Sequence, residues 1–303
     1  MSSSHVALVV NPRAGKGRVG RELPRLANII EGRGSHPEIL LTEHGGHAVE
    51  LARDAARRGA DTIVAVGGDG TVNEVVNGMI SDDRPVGTSR FAVIAAGSGC
   101  DFARSFDLPK DVDDHLGAFD GPLRPLDVGR IDCAARDGGT TIRYFVNIAE
   151  AGMAAATVAR ASQYPRWMGR SRYVVAFWPS LARFKPVKLN VSTTNGSFTG
   201  VAHNALVANA RYFGGGMHIS PHSNPSDGLF DAQVSIGPKR QAFTMIPRFF
   251  RGTHLPDPRI IQLTATAFRI EAERPIPVEA DGEVVGETPA TFTVLPGVLQ
   301  LLA

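Results

Sequence analysis

The sequence has little cysteine, and its two cysteines, Cys100 and Cys133, lie far apart along the chain. They form neither a metal-ligand pattern nor the framework of several disulfides that staples small secreted domains. The scarcity of cysteine therefore excludes a disulfide-dependent fold and favours a reducing compartment.

Long apolar runs are also missing. No stretch of about 18 apolar residues occurs, so we expect no membrane-spanning helix. The first apolar run, His5–Val10, has no basic segment before it and is too short for a secretory signal peptide. We therefore expect a cytoplasmic protein whose contact with lipid is peripheral.

Acidic residues are absent from residues 151–226. Basic residues in this stretch are Arg160, Arg166, Arg170, Arg172, Arg183, Lys185, Lys188 and Arg211. Aromatic residues lie among them, and residues 239–251 form a second basic and aromatic segment. Such surfaces suit an anionic membrane or single-stranded nucleic acid, and the alternative is core aromatics beside solvated arginines.

The first 107 residues alternate between short apolar strands and amphipathic helices. Strands are predicted at 6–10, 38–41, 62–66 and 91–95, and helices at 19–31, 47–58, 71–79 and 101–106. This alternation predicts an α/β domain with a mostly parallel sheet.

Strand patterns dominate after residue 120. Asn195-Gly196 predicts a hairpin within residues 189–207. Further strands are predicted at 126–133, 141–148, 229–236, 259–271 and 276–285, and helices at 152–160 and 173–184. We expect an α/β domain over residues 1–126 and a β-rich domain over residues 127–303, with the final C-terminal residues as candidates to pack back on the first domain.

Three glycine-rich loops, residues 11–17, 67–71 and 96–101, each follow a predicted strand directly. Because the carboxyl ends of parallel strands share one edge of a sheet, the loops should converge there. Glycine permits close backbone approach, and helix N-termini favour phosphate, so the loops predict a site for a nucleotide triphosphate. Neither standard fingerprint fits, since Gly15-Lys16 is followed by Gly17 rather than Ser or Thr.

Asp69 lies among the glycines of the second loop. Phosphate would repel a carboxylate there unless a cation bridges them, so one interpretation is that Asp69 holds Mg²⁺ directly or through water. The other is that Asp69 caps the helix that follows it. The residues alone leave both interpretations open.

Three acidic residues, Glu279, Asp281 and Glu283, lie close together near the C-terminus. Strand alternation predicts that they share one face, with Gly282 leaving space beside them. A carboxylate there could accept a proton from a hydroxyl during phosphoryl transfer. The alternative is a solvated hairpin turn at Asp281-Gly282.

Together these residues resemble the diacylglycerol kinase catalytic-domain family, which includes bacterial diacylglycerol kinase-like lipid kinases, sphingosine kinases and ceramide kinases. The most specific segment is Gly67-Gly-Asp-Gly-Thr-Val-Asn-Glu-Val-Val-Asn-Gly78, which matches the central family motif throughout. The resemblance spans nearly the whole chain, and its segments are residues 11–18, 67–78, 96–104, 126–129, 219–231 and 281–283.

The resemblance implies a nucleotide domain related to 6-phosphofructokinase and NAD kinase, followed by an antiparallel β-sandwich domain. It also implies ATP and Mg²⁺ as cofactors. The implied nucleotide-binding residues are Asn11, Lys16, Gly67, Gly68, Gly70, Thr71, Glu74, Ser98 and Asp101.

The resemblance further implies catalytic and metal-binding roles. Asp281 would be the general base, with Glu283 supporting the base or the metal, and Asp69 would anchor the catalytic Mg²⁺ with the help of Asp127. A second, structural Mg²⁺ would be held by Asp227, Asn224 and Leu229.

The function that the resemblance implies is that of an ATP-dependent lipid kinase in phospholipid metabolism. Its acceptor would be a lipid alcohol, diacylglycerol-like or sphingoid. Its place would be the inner membrane face, on an anionic surface, with no nucleic-acid partner, and a homodimer is allowed. The alternatives are an NAD or sugar-phosphate kinase of the same superfamily and a non-catalytic nucleotide- or lipid-binding protein.

The chain departs from the family pattern in its third loop. Family members commonly carry Thr and Asn where this chain has Ser98 and Cys100. Serine keeps the hydroxyl group, whereas Cys100 removes an amide that could bond nucleotide or backbone. Residues 147–155 resemble a stretch that often includes an Asp, where this chain has Ala154 or Ala155.

Overall fold

The computed structural model describes residues 4–96, 99–109, 121–135, 137–169 and 171–303, with only the backbone described at Arg166. These residues form two compact units. The first comprises Met1–Val128 and Leu295–Ala303, and the second comprises Gly129–Val294. Each unit has its own hydrophobic core.

The first unit is built on a parallel sheet in the order β2-β1-β3-β6. Its strands are β1 (His5–Val10), β2 (His36–Leu41), β3 (Thr62–Gly67), β4 (Ile80–Ser81), β5 (Arg84–Pro85) and β6 (Arg90–Ala95), of which β4 and β5 form a separate antiparallel pair. Its helices are α1 (Arg18–Gly32), α2 (His47–Arg57), α3 (Asp69–Met79) and α4 (Asp101–Ser105).

The pattern of apolar residues explains this arrangement. Strand β3 is buried at all six positions, as expected for a parallel strand inside a sheet, whereas β2 is exposed at three of its six positions. Helix α2 turns a face of small residues, Ala52, Ala55 and Ala56, into the protein. Small side chains let α2 and α3 approach closely.

Gly78 of α3 marks the closest approach of these two helices. A β-carbon added there would collide with the Val49 carbonyl oxygen and would lie 2.8 Å from the Ala52 β-carbon. We expect Gly78→Ala to lower the free energy of unfolding by about 1–3 kcal/mol, measured by denaturant titration, because both neighbours belong to a rigid helix.

Gly32 at the end of α1 supplies the matched control, since an added β-carbon would meet nothing within 4 Å. Gly32→Ala should leave stability unchanged or raise it slightly through helix propensity. Equal effects of the two substitutions would contradict the close helix contact.

The second unit consists mainly of antiparallel strands. They are β7 (Leu123–Ala134), β8 (Thr140–Phe145), β9 (Ile148–Gly152), β10 (Val187–Ser192), β11 (Ser197–Ala202), β12 (Asn204–Ala208), β13 (Phe230–Ser235), β14 (Ile260–Ala265), β15 (Ala267–Ala272), β16 (Pro277–Ala280) and β17 (Glu283–Leu302). Strand β7 begins in the first unit and β17 ends there. The helices are α5 (Met153–Ala161), α6 (Ser171–Arg183) and α7 (Ala242–Arg251).

The strands of this unit pair along two paths, and their side chains alternate between the core and the surface. One path runs β14-β13-β12-β9-β16-β17, and another runs β11-β10-β15-β17. In β10, Val187, Leu189 and Val191 point into the core while the residues between them are more exposed. Phe145 and Phe230 stack in that core, with ring centroids 5.5 Å apart.

The predicted fold class, an α/β domain followed by an antiparallel β domain, is confirmed. Three predicted strands were wrong in extent, since 141–148, 259–271 and 276–285 are each divided into two. Helix α7, which contains Pro247, was not predicted. Among the described residues, no helix has both the length and the apolar character that crossing a bilayer demands.

Candidate active site

The first glycine-rich loop leaves β1 as a tight turn organised by Asn11. The Asn11 backbone donates to the Val66 carbonyl at 3.0 Å, and its side-chain oxygen accepts the Arg13 N–H at 3.1 Å. Gly15 and Lys16 follow with φ of 58° and 57°. A left-handed conformation at Lys16, which is not glycine, is uncommon and turns the chain sharply toward α1.

Backbone contacts join the three loops. A β-carbon at Gly15 would lie 2.8 Å from the Ala96 carbonyl oxygen, so the first and third loops meet at a position where only glycine fits. The Ala96 N–H donates to the Gly67 carbonyl at 2.8 Å, which joins the third loop to the second. The predicted convergence of the loops is therefore present. Ser98, a predicted nucleotide contact, lies outside the described residues.

The second loop turns directly into α3, with Gly68 as the N-cap residue. Thr71 folds back over Gly67 so closely that a β-carbon on Gly67 would lie 2.5 Å from the Thr71 hydroxyl oxygen. The Thr71 N–H donates to the Gly68 carbonyl at 2.9 Å, and Gly70 has open space around its α-carbon. The arrangement points the positive end of the helix dipole toward the loops, which favours an anion.

Asp69 is the first residue of α3, but its carboxylate accepts a hydrogen bond from another helix. Its Oδ1 accepts the backbone N–H of Phe102, in the first turn of α4, at 3.0 Å. The alternative that Asp69 caps the helix following it is therefore wrong, since Gly68 is the N-cap of α3 and Asp69 bonds to α4. This bond fixes the carboxylate where the second and third loops meet.

Two other predicted nucleotide-site residues also bond within the first unit. Glu74 on α3 accepts the Ala48 N–H at the start of α2, at 3.2 Å. Asp101 is buried and lies 3.2 Å from the Arg104 guanidinium. Cys100, the N-cap of α4, has φ of 52°, in the left-handed region that Asn tolerates well, so an Asn in other family members suits this backbone.

Asp127 is buried near the end of the first unit's N-terminal segment. Its Oδ1 accepts the backbone N–H of Gly297 at 2.7 Å, and Gly297 has φ of 54°. This bond ties the last residues of the chain to the first unit. The carboxylate that was predicted to assist a metal is thus held by a backbone donor.

In the second unit, Asp281 and Gly282 form a two-residue hairpin turn. Ala280 pairs with Glu283, and both turn residues have positive φ, 48° and 87°, as a type I′ turn requires. The prediction that the three acidic residues share one strand face was wrong, because the turn interrupts the strand. Glu279 is fully buried and Glu283 is exposed.

The Asp281 side chain turns inward rather than into solvent. Its Oδ2 accepts the Val146 N–H at 2.9 Å, and its Oδ1 accepts the N–H groups of Asn147 and Ile148 at 3.0 and 3.1 Å. The Asp281 N–H returns a bond to the Ile148 carbonyl at 2.9 Å. The turn alternative was thus right about the backbone and wrong about a solvated carboxylate.

These donors explain why the strand predicted at 141–148 is divided. Residues 146 and 147 direct their N–H groups to Asp281 instead of to a neighbouring strand. No pattern in the sequence signals this contact, because the partners lie more than 130 positions apart. Beside the turn, the Glu283 carboxylate lies 3.2 Å from the Arg143 guanidinium.

The residues predicted to hold a structural metal lie in one short turn. The Asp227 N–H approaches the Asn224 carbonyl at 3.4 Å, and Asp227 Oδ1 accepts the Leu229 N–H at 3.0 Å. The described part of the chain has no group of three or more His, Cys, Asp or Glu side chains suited to a metal. Any metal in this turn would need carbonyl ligands, which Mg²⁺ and Ca²⁺ accept.

An α/β unit with three joined glycine-rich loops, followed by an antiparallel β unit, defines a class of two-domain kinase-like proteins. Family models match in the same order. The diacylglycerol kinase catalytic domain covers residues 5–131, and the YegS C-terminal NAD kinase beta sandwich-like domain covers residues 147–303. The chain belongs to the diacylglycerol kinase catalytic-domain family, a family of lipid kinases.

Curated relatives align over almost their whole length. A protein named diacylglycerol kinase from Bacillus subtilis is 29% identical over 295 residues, covering 95% of this chain and 92% of the relative. One of the same name from Mycobacterium tuberculosis is 29% identical over 305 residues, with 98% and 94% covered.

Solved structures show the same fold at lower identity. A diacylglycerol kinase from Bacillus anthracis aligns with a TM-score of 0.75 at 20% identity, covering 100% of this chain and 97% of that one. Yeast NADH kinase, complexed with NADH, aligns with a TM-score of 0.54 at 10% identity, covering 99% and 83%.

Proposed function

We propose that this chain transfers the γ-phosphoryl group of ATP to the hydroxyl of a lipid alcohol, diacylglycerol-like or sphingoid. The products are ADP, the lipid phosphate and a proton. The observation that supports this most is the Asp281 carboxylate, held by three backbone N–H groups within a segment that resembles the family's catalytic one. A carboxylate fixed in this way is prepared to orient a hydroxyl without reorganising during the reaction.

The joined loops of the first unit would bind the phosphates of ATP. The open N-terminus of α3 at Gly68 and the backbone at Gly67, Gly70 and Thr71 support this role. Asn11 would shape the first loop and Lys16 would add positive charge, while Ser98 would contribute a hydroxyl. Glu74 and Asp101, which bond to other parts of the unit, would hold the loops in place.

The acidic side chains of the first unit suit a Mg²⁺ ion, since Mg²⁺ prefers carboxylate oxygen and water. Asp69 would hold it, with Asp127 assisting, and each carboxylate is oriented by a backbone donor. When bound, the ion neutralises charge on the β- and γ-phosphates. Asp227, with the carbonyls of Asn224 and Leu229, would form the second, structural site.

Asp281 would orient the lipid hydroxyl and take its proton as the new P–O bond forms. Glu283, two residues after Asp281, would support this base. The Arg143 guanidinium balances the negative charge of Glu283. The chain otherwise contributes position and electrostatics, as expected for phosphoryl transfer.

A surface on α6 and α7 supports contact with a membrane. The Trp178 and Phe243 rings stack 5.0 Å apart, yet they remain 42% and 66% exposed. Val174 and Phe250 on the same two helices are also exposed, and the helices carry only basic charges. We propose that this aromatic face contacts an anionic bilayer at the inner membrane face, where the lipid substrate resides.

Removing the stacked pair tests this surface. We expect the double substitution Trp178→Ala with Phe243→Ala to weaken binding to vesicles containing phosphatidylserine at least about tenfold, since each aromatic contributes more than a kcal/mol of apolar burial. Val201→Ala, at another exposed apolar position, is the matched control. Unchanged vesicle sedimentation of the double variant would remove the membrane role of this face.

The test of the proposed function is a panel of acceptors. The purified protein is incubated with Mg²⁺-ATP and diacylglycerol, sphingosine or ceramide in mixed micelles, and separately with NAD and sugar phosphates. Mass spectrometry then identifies any phosphorylated product. A phosphorylated lipid supports the proposal. Product only from NAD would favour the NAD kinase alternative, to which the fold likeness with NADH kinase points.

A further inference from the structure

Two glutamates that the proposed reaction does not use face each other inside the second unit. Glu150 lies in the middle of β9 and Glu279 in β16, and the antiparallel register places them directly opposite. Both side chains are buried. Two like charges at opposed strand positions repel each other, and burial makes that repulsion stronger.

Each carboxyl has one polar donor of its own. The Asn204 side chain donates to Glu150 Oε1 at 2.9 Å, and the Gly282 backbone donates to Glu279 Oε2 at 2.8 Å. The two carboxyl groups also lie within hydrogen-bonding reach of each other. Glu279 Oε1 receives no donor from the described residues. Since ionised carboxylates only accept, the contact between them requires a proton.

The surroundings favour that proton. Burial raises the pKa of Glu150 to about 7, and burial together with the negative charges of Glu150 and Asp281 raises the pKa of Glu279 well above its usual range. Hydrogen bonds from Asn204 and Gly282 act in the opposite direction but are smaller than burial. Of the elements packed against the pair, residues 153–159 of α5 and 204–208 of β12 contain no ionisable side chain, whereas β17 carries Glu283 and Glu287 and β8 carries Arg143 and Tyr144.

The pair connects the same two segments that hold the proposed base. Asp281 bonds to Ile148, two residues before Glu150, and Glu279 bonds to Gly282, the residue after Asp281. We propose that Glu150 and Glu279 share one proton and that this shared proton holds the Asp281-Gly282 turn in its reactive position. Both glutamates are thus positioning residues, and their catalytic effect rests on the proposed function of Asp281.

The first test detects the shared proton from the pH dependence of folding stability and needs no kinase assay. A carboxyl whose folded pKa is raised stabilises the fold below its unfolded value and loses that contribution as pH rises. For one shared proton, the folding equilibrium constant should fall by up to about tenfold per pH unit from roughly pH 4.5 upward, until the folded pair loses that proton. Glu279→Gln, whose amide donates to Glu150 without titrating, should reduce this slope, because only the buried Glu150 of the pair still titrates.

Controls separate the pair from other titrating groups. His203, His218 and His254 have lowered pKa values and therefore give a slope of opposite sign. That slope is the same in the unaltered protein and in the variant, so it cancels in their difference. Glu273→Gln, at an exposed glutamate, should keep the full slope. Glu150→Gln provides a second variant should Glu279→Gln fail to fold. If the folded variants keep the slope of the unaltered protein, no proton is shared.

The second test uses the pH dependence of turnover to ask whether the pair positions the Asp281-Gly282 turn. Turnover of the lipid substrate should fall on the alkaline side as the pair loses its proton, with the KM for ATP unchanged. Glu279→Gln should move this alkaline limb upward by at least one pH unit. A purely structural role would lower activity equally at every pH, and that result would overturn the positioning role.

The link between the glutamate pair and the turn can also be tested if the protein proves not to be a lipid kinase. In that case, the backbone amide resonance of Gly282, followed by NMR against pH, replaces turnover. It should titrate together with the stability in the unaltered protein and stay constant in Glu279→Gln. A Gly282 resonance that does not change with pH in the unaltered protein would overturn the link between the pair and the turn.

Discussion

Asp281→Ala is expected to lower lipid phosphorylation by about 10²- to 10⁴-fold while ATP affinity stays nearly unchanged. The substitution removes the proposed proton acceptor from the second unit and leaves every loop of the first unit intact. Steady-state turnover and ATP binding by calorimetry are the two measurements. Equal loss of ATP binding and turnover would count against the role of a base.

The three backbone donors make a second variant necessary. Alanine leaves the N–H groups of Val146, Asn147 and Ile148 without their acceptor, which costs about 1–3 kcal/mol for each that stays buried. Asp281→Asn keeps the shape and one acceptor oxygen, so it should stay better folded and equally inactive. Asp137→Ala, at an exposed loop position, is the control and should retain full turnover.

Asp69→Asn is expected to reduce Mg²⁺-dependent turnover by about 100-fold or more, since metal stabilisation of transition-state charge amounts to several kcal/mol. Its side-chain oxygen can still accept the Phe102 N–H, so the free energy of unfolding should change little. Asp69→Ala loses both functions and should lower stability as well. The pair of variants thus separates metal binding from capping.

The two variants also show how the hypothesis for Asp69 fails. If Asp69→Asn retains full turnover and Asp69→Ala loses only stability, Asp69 is a cap of α4 and not a metal ligand. Turnover measured against Mg²⁺ concentration adds a direct reading, because a weakened site should require more Mg²⁺.

Elements with strong local patterns could be predicted from the sequence. Strand β3 is a continuous apolar run ended by glycine, and it is found within one residue of its predicted bounds. The convergence of the three glycine-rich loops could also be predicted, because the carboxyl ends of parallel strands share one edge of a sheet. Asn195-Gly196 predicted a hairpin that β10 and β11 form.

Features set by distant partners could not be predicted. Asp281-Gly282 carries the same kind of turn signal as Asn195-Gly196, but the bonds from residues 146–148 to its carboxylate depend on strand register. The Glu150 and Glu279 pair depends on register in the same way. Asp69 was considered as a cap of its own helix, but the partner of its carboxylate, Phe102, lies 33 positions away in another helix.

The most direct test of the central claim is to follow labelled phosphate into lipid. The protein is incubated with Mg²⁺ and ATP labelled at either the γ- or the α-phosphate, with diacylglycerol and a sphingoid base in mixed micelles, beside Asp281→Ala. We expect label in a lipid phosphate from γ-labelled ATP alone, and almost none with the variant. Bound ATP without labelled lipid, or equal labelling by Asp281→Ala, would contradict it.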